Sequence, residues 1–304
     1  MHKIIYLIVS FSFIACYSLE GEWLTFRKQD FSPPAAAPSR SASRQKQAAL
    51  RGALFPASIR PGEYVTVVCA FPAENIALDE LYARLYDDGG KKLGSAKLFR
   101  YPNPTEKTEK KSRAVFAALL AAPSTCSSAA ATVKIEDASG VLLEMPFEIR
   151  ARDFAAEIIP LNPANTSIRT EPDPRKTEES RRLWQIISST GGDIFMETPF
   201  VSPVDAGTRR SSSYGDRRVY RYSNGTSDSS VHAGIDFAVP RGTPVSACGN
   251  GRVVLARSRI VTGNSIIIEH LPGVYSLYYH LEKIDVLEGD FVKAGQTIGY
   301  SGST

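Results

Sequence analysis

Short runs of alternating apolar and polar residues, each closed by Gly, Asn, Asp or Pro, recur from about residue 49 to the end of the 304-residue chain. A period of two is the strand period, so this pattern predicts an all-β protein. Between residues 49 and 150 the runs are "EYVTVVCAF", "ELYARLYDDGGKKLGSAKLF", "RAVFAALLA" and "ATVKIEDASGVLLEMPFEIRA". "DDGG" and "DASG" read as hairpin turns between strands. About a hundred residues at this spacing predict a small β-sandwich of immunoglobulin-like type. It offers no catalytic constellation. Residues 151–200 read as a connector with a short helix: Pro174 near its start, acidic residues early, Leu183, Ile186 and Ile187 at helical spacing, and a Gly-Gly stop. From residue 201 to 304 the runs "TPVSAC", "GRVVLARS", "NSIIIEHL", "VYSLYYHL" and "DFVKAGQTIGYSG" predict a second all-β domain, a barrel or sandwich.

The N-terminus, "MHKIIYLIVSFSFIAC", has one lysine, then an apolar core too short to span a bilayer, then small residues. Residues 1–18 therefore read as a secretory signal peptide. Phe13-Ile14-Ala15 before Cys16 resembles a relaxed bacterial lipobox, which implies a lipid on Cys16; ordinary cleavage a few residues later is the alternative. The expected location is outside the cytoplasm, in the periplasm or cell envelope. Residues 19–48, rich in Pro, Ala, Ser, Arg and Lys, cannot bury enough apolar surface to fold and read as a disordered linker.

A net charge of +4, with no basic run joined to aromatics, gives no reason to expect nucleic acid. Export makes disulfides permissible, and Cys69 and Cys126 lie in the same predicted β-domain, as a bridge or as two separate thiols. Cys248 reads as a small packing residue.

The chain has four histidines, so each is informative. In "VHAGIDFAVPRG", His232 and Asp236 stand four apart. On a straight strand they would be about 13 Å apart, from a rise of ~3.3 Å per residue. One metal would need their donor atoms nearly in contact. Gly234, between them, can adopt positive φ and fold the chain back. Alone, the pair reads more readily as a surface histidine and a capping aspartate than as metal ligands. In "VYSLYYHL", alternation places Tyr275, Leu277, Tyr279 and Leu281 on a core face, with Val274, Ser276, Tyr278 and His280 on a more polar one. His270 shares a face with Ile266 and Ile268 and reads as a hydrogen-bonded structural histidine.

The blocks "HAGIDFAVPRGTPVSACGNGRVVLA", "GNSIIIEHLPGVYSLYYHL" and "VLEGDFVKAGQTIGYSGST", in that order, closely resemble the M23 family of zinc metallopeptidases, also called lysostaphin-like. The upstream "RRSSSYGDRR" is similar to that family's approach to its first ligand. The resemblance covers about residues 200–304. It implies an M23-type β-barrel or sandwich, Zn2+ as cofactor, and peptidoglycan peptide cross-links or stems as substrate. It further implies His232 and Asp236 as the first two zinc ligands and His280 as the catalytic histidine. The family completes its site with a His-x-His motif just after the "GSTG" turn, whereas Thr304 falls within that turn. The expectation is a C-terminally truncated copy, its barrel incomplete and its 304 residues inactive as they stand.

Two other readings are weaker. A non-catalytic M23-like module would bind peptidoglycan or activate other hydrolases, but such modules usually lose the first ligands, which this chain keeps. "EGDFVKAGQTIGYSGS" also resembles a lipoyl-carrier hairpin, but Lys293 lacks the expected neighbours.

Overall fold

The computed structural model describes residues 50–72, 80–102, 113–189, 191, 193–196 and 199–302. The expectations for the signal peptide, Cys16 and the linker to residue 48 lie outside these residues. The described residues form two compact units, 50–152 and 153–302. Strands dominate both, and the all-β expectation holds.

In the first unit, β1 (Arg51–Phe55), β3 (Tyr64–Pro72), β7 (Arg113–Ala121) and β6 (Phe99–Tyr101) form one sheet in the order β1-β3-β7-β6. A second sheet runs β2 (Ser58–Ile59), β9 (Gly140–Ile149), β8 (Ala130–Asp137), β4 (Tyr82–Asp87), β5 (Lys92–Lys97). In immunoglobulin lettering these orders are A-B-E-D and A′-G-F-C-C′, the arrangement of an Ig-like sandwich. Both "DDGG" and "DASG" close hairpins, β4–β5 and β8–β9, with Gly90 and Gly140 at positive φ. Alternate residues Val65, Val67 and Cys69 of β3 join Leu85, Val133 and Ile135 of the facing sheet in one core. Cys69 and Cys126 are both free thiols packed in or against that core.

The second unit opens with β10 (Ala156–Pro160), α1 (Pro163–Thr170) and α2 (Pro174–Ser188). Helix α2 starts where Pro at N1 and the Asp173 side chain, accepting from the Arg175 N–H at 2.8 Å, satisfy its first turn. Strand β10 pairs in parallel with β12 (Arg217–Arg221), which pairs with β13 (Ser227–Val231). A two-stranded sheet joins β11 (Arg210–Ser212) to β14 (Asp236–Phe237). The main sheet has six strands, β15 (Pro244–Ser246), β20 (Thr297–Ser301), β18 (Val274–Ile284), β17 (Gly263–Leu271), β16 (Gly251–Arg259) and β19 (Phe291–Val292), in that order.

Two features of β18 differ from simple alternation. Both of its faces are buried, not one. Tyr275, Leu277 and Tyr279 pack with Leu183, Ile186 and Ile187 of α2, while Tyr278 packs with Ile266 and Ile268 in the opposite layer. The helix is what covers the second face. Alternation also fails at His280. Register runs from Tyr278 opposite Ile266 to Leu281 opposite Asn264, so Tyr279 and His280 together oppose the single residue Ser265. This is a β-bulge, and it returns Leu281 to the layer of Tyr278. His280 has φ 58°, the only positive-φ non-glycine among the described residues. Alternation therefore does not set the direction of His280.

Candidate metal centre

His232 follows directly on β13 and extends its pairing with β12: its N–H donates to Asp216 O at 2.8 Å, and the Gly215 N–H donates to its carbonyl at 2.9 Å. Asp236 opens β14 and sits opposite Ser212 of β11. The two residues thus belong to different sheets, and the chain turns a corner between them. Gly234 is not among the positive-φ glycines, so the expected fold-back at positive φ is not how they meet. Changing sheets achieves the convergence instead.

The side chains converge closely. His232 Nε2 lies 3.1 Å from Asp236 Oδ1, with the two side chains 3% and 1% exposed. His232 Nδ1 lies 2.9 Å from the Ser213 carbonyl and 3.3 Å from Ser212 Oγ. A carbonyl only accepts, so Nδ1 carries a ring proton. Ser212 donates its own proton to Asp216 Oδ2 at 3.0 Å, and Asp216 Oδ2 also accepts from the Ser213 N–H at 2.7 Å. The ring is therefore fixed in orientation and tautomer by its Nδ1 side.

With Nδ1 protonated, a neutral ring aims its Nε2 lone pair at the carboxylate. Asp236 Oδ1 is buried and accepts no hydrogen bond. A proton on Nε2 or a metal ion beside both atoms would satisfy this buried contact. Donors of one tetrahedral metal, each ~2.1 Å away, stand about 3.4 Å apart. The pair fits one edge of such a site. Among the described residues, no third His, Cys, Asp or Glu joins them.

Residues 230–304 match the model of peptidase family M23. The catalytic domain of the prophage-encoded M23 protein EnpA from Enterococcus faecalis is 34% identical, the match covering 34% of this chain and 76% of that domain, with a TM-score of 0.30. This chain belongs to peptidase family M23. The peptidoglycan DD-endopeptidase ShyA of Vibrio cholerae is 42% identical over 102 residues, 34% of this chain and 23% of ShyA. Lysostaphin of Staphylococcus simulans is 47% identical over 76 residues, 24% of this chain and 15% of lysostaphin. The chain spans less than a quarter of the length of either curated relative.

Arg218, which precedes the matched segment, is a member of this site that sequence reasoning missed. Its Nη2 donates to Asp236 Oδ2 at 2.7 Å and its Nε donates to Glu157 Oε1 at 2.6 Å, although its own side chain is only 6% exposed. The signal available was the segment "RRSSSYGDRR", which holds Ser212, Ser213, Asp216 and Arg218 together; nothing in the sequence connected Glu157 to it.

His280 sits at the bulge. Its N–H donates to Thr262 O at 2.8 Å, and its carbonyl accepts from the Gly302 N–H at 2.8 Å. His270 is fully buried. Its Nδ1 donates to Asn250 O at 2.7 Å, its Nε2 meets Ser276 Oγ at 2.7 Å, and Phe200 packs edge-on. Burial holds its pKa down to about 4, so the ring is neutral and structural. Cys248, also fully buried, lies 3.8 Å from His270 Nε2, and burial pushes its thiol up to about 11.

Proposed function

We propose that the domain from residue 201 to 304 belongs to a zinc-dependent endopeptidase that cleaves peptide cross-links or stems of peptidoglycan. The observation that carries the reading is the buried acceptor pair, His232 Nε2 and Asp236 Oδ1, at 3.1 Å within a matched M23 segment. In this reading His232 and Asp236 are two of the metal ligands. Zinc, when bound, polarises the scissile carbonyl and brings the pKa of its water toward neutrality.

The chain's own residues do the rest. Ser213 and Ser212 hold the His232 ring so that Nε2 keeps its lone pair facing inward. His280, fixed by backbone contacts on a bulge, supplies a ring that meets the substrate, stabilising the developing oxyanion or moving a proton. Positive φ at a non-glycine residue costs about 1–3 kcal/mol and is retained where its surroundings enforce it. ShyA, a relative whose name gives peptidoglycan as its substrate, is 42% identical over 102 residues of this chain. Export to the periplasm or cell envelope, with Cys16 as a lipid anchor, and an Ig-like domain at residues 49–150 complete the proposal.

The test is digestion of purified peptidoglycan by protein expressed from the full reading frame, with zinc supplied and then chelated. Zinc-dependent release of peptide fragments, lost in Asp236→Ala, is expected. Hydrolysis that survives both chelation and Asp236→Ala would reject the assignment.

A further inference from the structure

We infer that Arg218 is a positioning residue for the metal ligand Asp236, and that strand β10 takes part in the same site through Glu157. This rests on the proposed metal role of His232 and Asp236. A carboxylate has two oxygens, and here each has one task. Oδ2 of Asp236 accepts from Arg218 Nη2 at 2.7 Å, which leaves Oδ1 turned toward His232 Nε2 at 3.1 Å. Without the guanidinium the buried carboxylate is free to rotate, and Oδ1 loses its fixed direction.

Arg218 is held in turn. Parallel pairing sets Glu157 directly opposite Arg218, and Glu157 Oε1 accepts from Nε at 2.6 Å. The antiparallel neighbour of Arg218 on β13 is Ser230, two residues before His232. Strand β12 and the turn just before it thus support both ligands: Asp216 and Gly215 of the turn bond the His232 backbone, and Arg218 of the strand fixes the Asp236 side chain. The guanidinium also offsets the cost of burying a carboxylate, and a planar donor group fixes a carboxylate's orientation better than an ammonium does. Glu157 and Arg218 both precede residue 230, where the family match begins. Metal affinity therefore depends on residues outside the matched segment, including one from the strand that leads into the helices.

The test is zinc affinity of protein expressed from the full reading frame, by competition with a chromophoric chelator, for wild type, Asp236→Ala, Arg218→Met, Arg218→Lys and Glu157→Gln. Arg218→Met is expected to weaken zinc binding about 10–100-fold, the usual cost of removing a residue that orients a ligand. Arg218→Lys and Glu157→Gln should lose less, in that order of severity. Circular dichroism and thermal melts report folding; where Arg218→Met does not fold, the Lys and Gln variants carry the result. If Asp236→Ala loses zinc while Arg218→Met, Arg218→Lys and Glu157→Gln all stay within two-fold of wild type, the positioning role is wrong and the metal site stands. If wild type takes up no zinc, or Asp236→Ala binds it as tightly as wild type, both the site and the inference fall.

Discussion

The Gly302 N–H donates to the His280 carbonyl at 2.8 Å, and a Cβ on Gly302 would stand 2.6 Å from that same carbonyl oxygen and 2.6 Å from the Glu282 nitrogen. Both obstacles are backbone, so neither can move aside cheaply. Gly302→Ala must therefore displace the His280 bulge. Overpacking of this kind costs about 1–3 kcal/mol of stability. A displacement near 1 Å lowers turnover about 10²-fold. Thermal melts, zinc content and peptidoglycan hydrolysis measured on the same preparation check this: zinc should be retained while hydrolysis falls.

His280→Ala should keep its zinc and lose ~10²–10⁴-fold in hydrolysis, the usual contribution of a group that acts on the transition state. The variant keeps the backbone bonds that residue 280 makes to Thr262 and Gly302. A variant within a few-fold of wild-type rate would show that His280 does not touch the reacting atoms.

His270 makes stability depend on pH. Its pKa lies near 4 in the folded protein, well below the ordinary 6.5, because full burial disfavours the imidazolium. Between those values the unfolded chain binds more protons, so stability is complete above pH 6.5 and falls as pH drops toward 4. The difference is worth about 3 kcal/mol from this residue. Urea unfolding at pH 7 and pH 4.5 should show a larger loss for wild type than for His270→Gln. Equal losses would mean that the ring is protonated in the folded state.

Thiol chemistry separates the three described cysteines. Burial raises the pKa of both Cys69 and Cys248, whereas Cys126 is only half-buried at the edge of its core. A disulfide reagent should label Cys126 in the native protein and reach Cys69 and Cys248 only after unfolding. Mass mapping of the labelled sites checks the order.

Much of this architecture is legible in the residues. The turns at Gly90 and Gly140, and the alternation of Val65, Val67 and Cys69, are local chemistry, and they carry the sandwich. Helix α2 is equally visible, with Pro174 at its start and Leu183, Ile186 and Ile187 on one side. Its position is not. Only the fold shows that this apolar stripe covers Tyr275, Leu277 and Tyr279, so a strand with one expected core face has two. The bulge at His280 escapes for a related reason. Alternation assumes one residue opposite one, and the extra residue against Ser265 is set by pairing with β17 and by Gly302, both distant in sequence. At the site, the spacing of His232 and Asp236 was a signal, but their meeting comes from a change of sheet rather than from Gly234. Nothing in the sequence sets Arg218 apart from the other arginines; register and side-chain contacts place it between Glu157 and Asp236.

The central claim is that His232 and Asp236 hold one metal ion together. The direct measurement is zinc stoichiometry and affinity in wild type, His232→Ala and Asp236→Ala, on protein shown by circular dichroism to be folded. The account predicts about one zinc per chain in wild type and a marked loss of affinity in each single variant, since either ligand alone leaves most of the coordination to water. Unchanged zinc binding in both folded variants would contradict it.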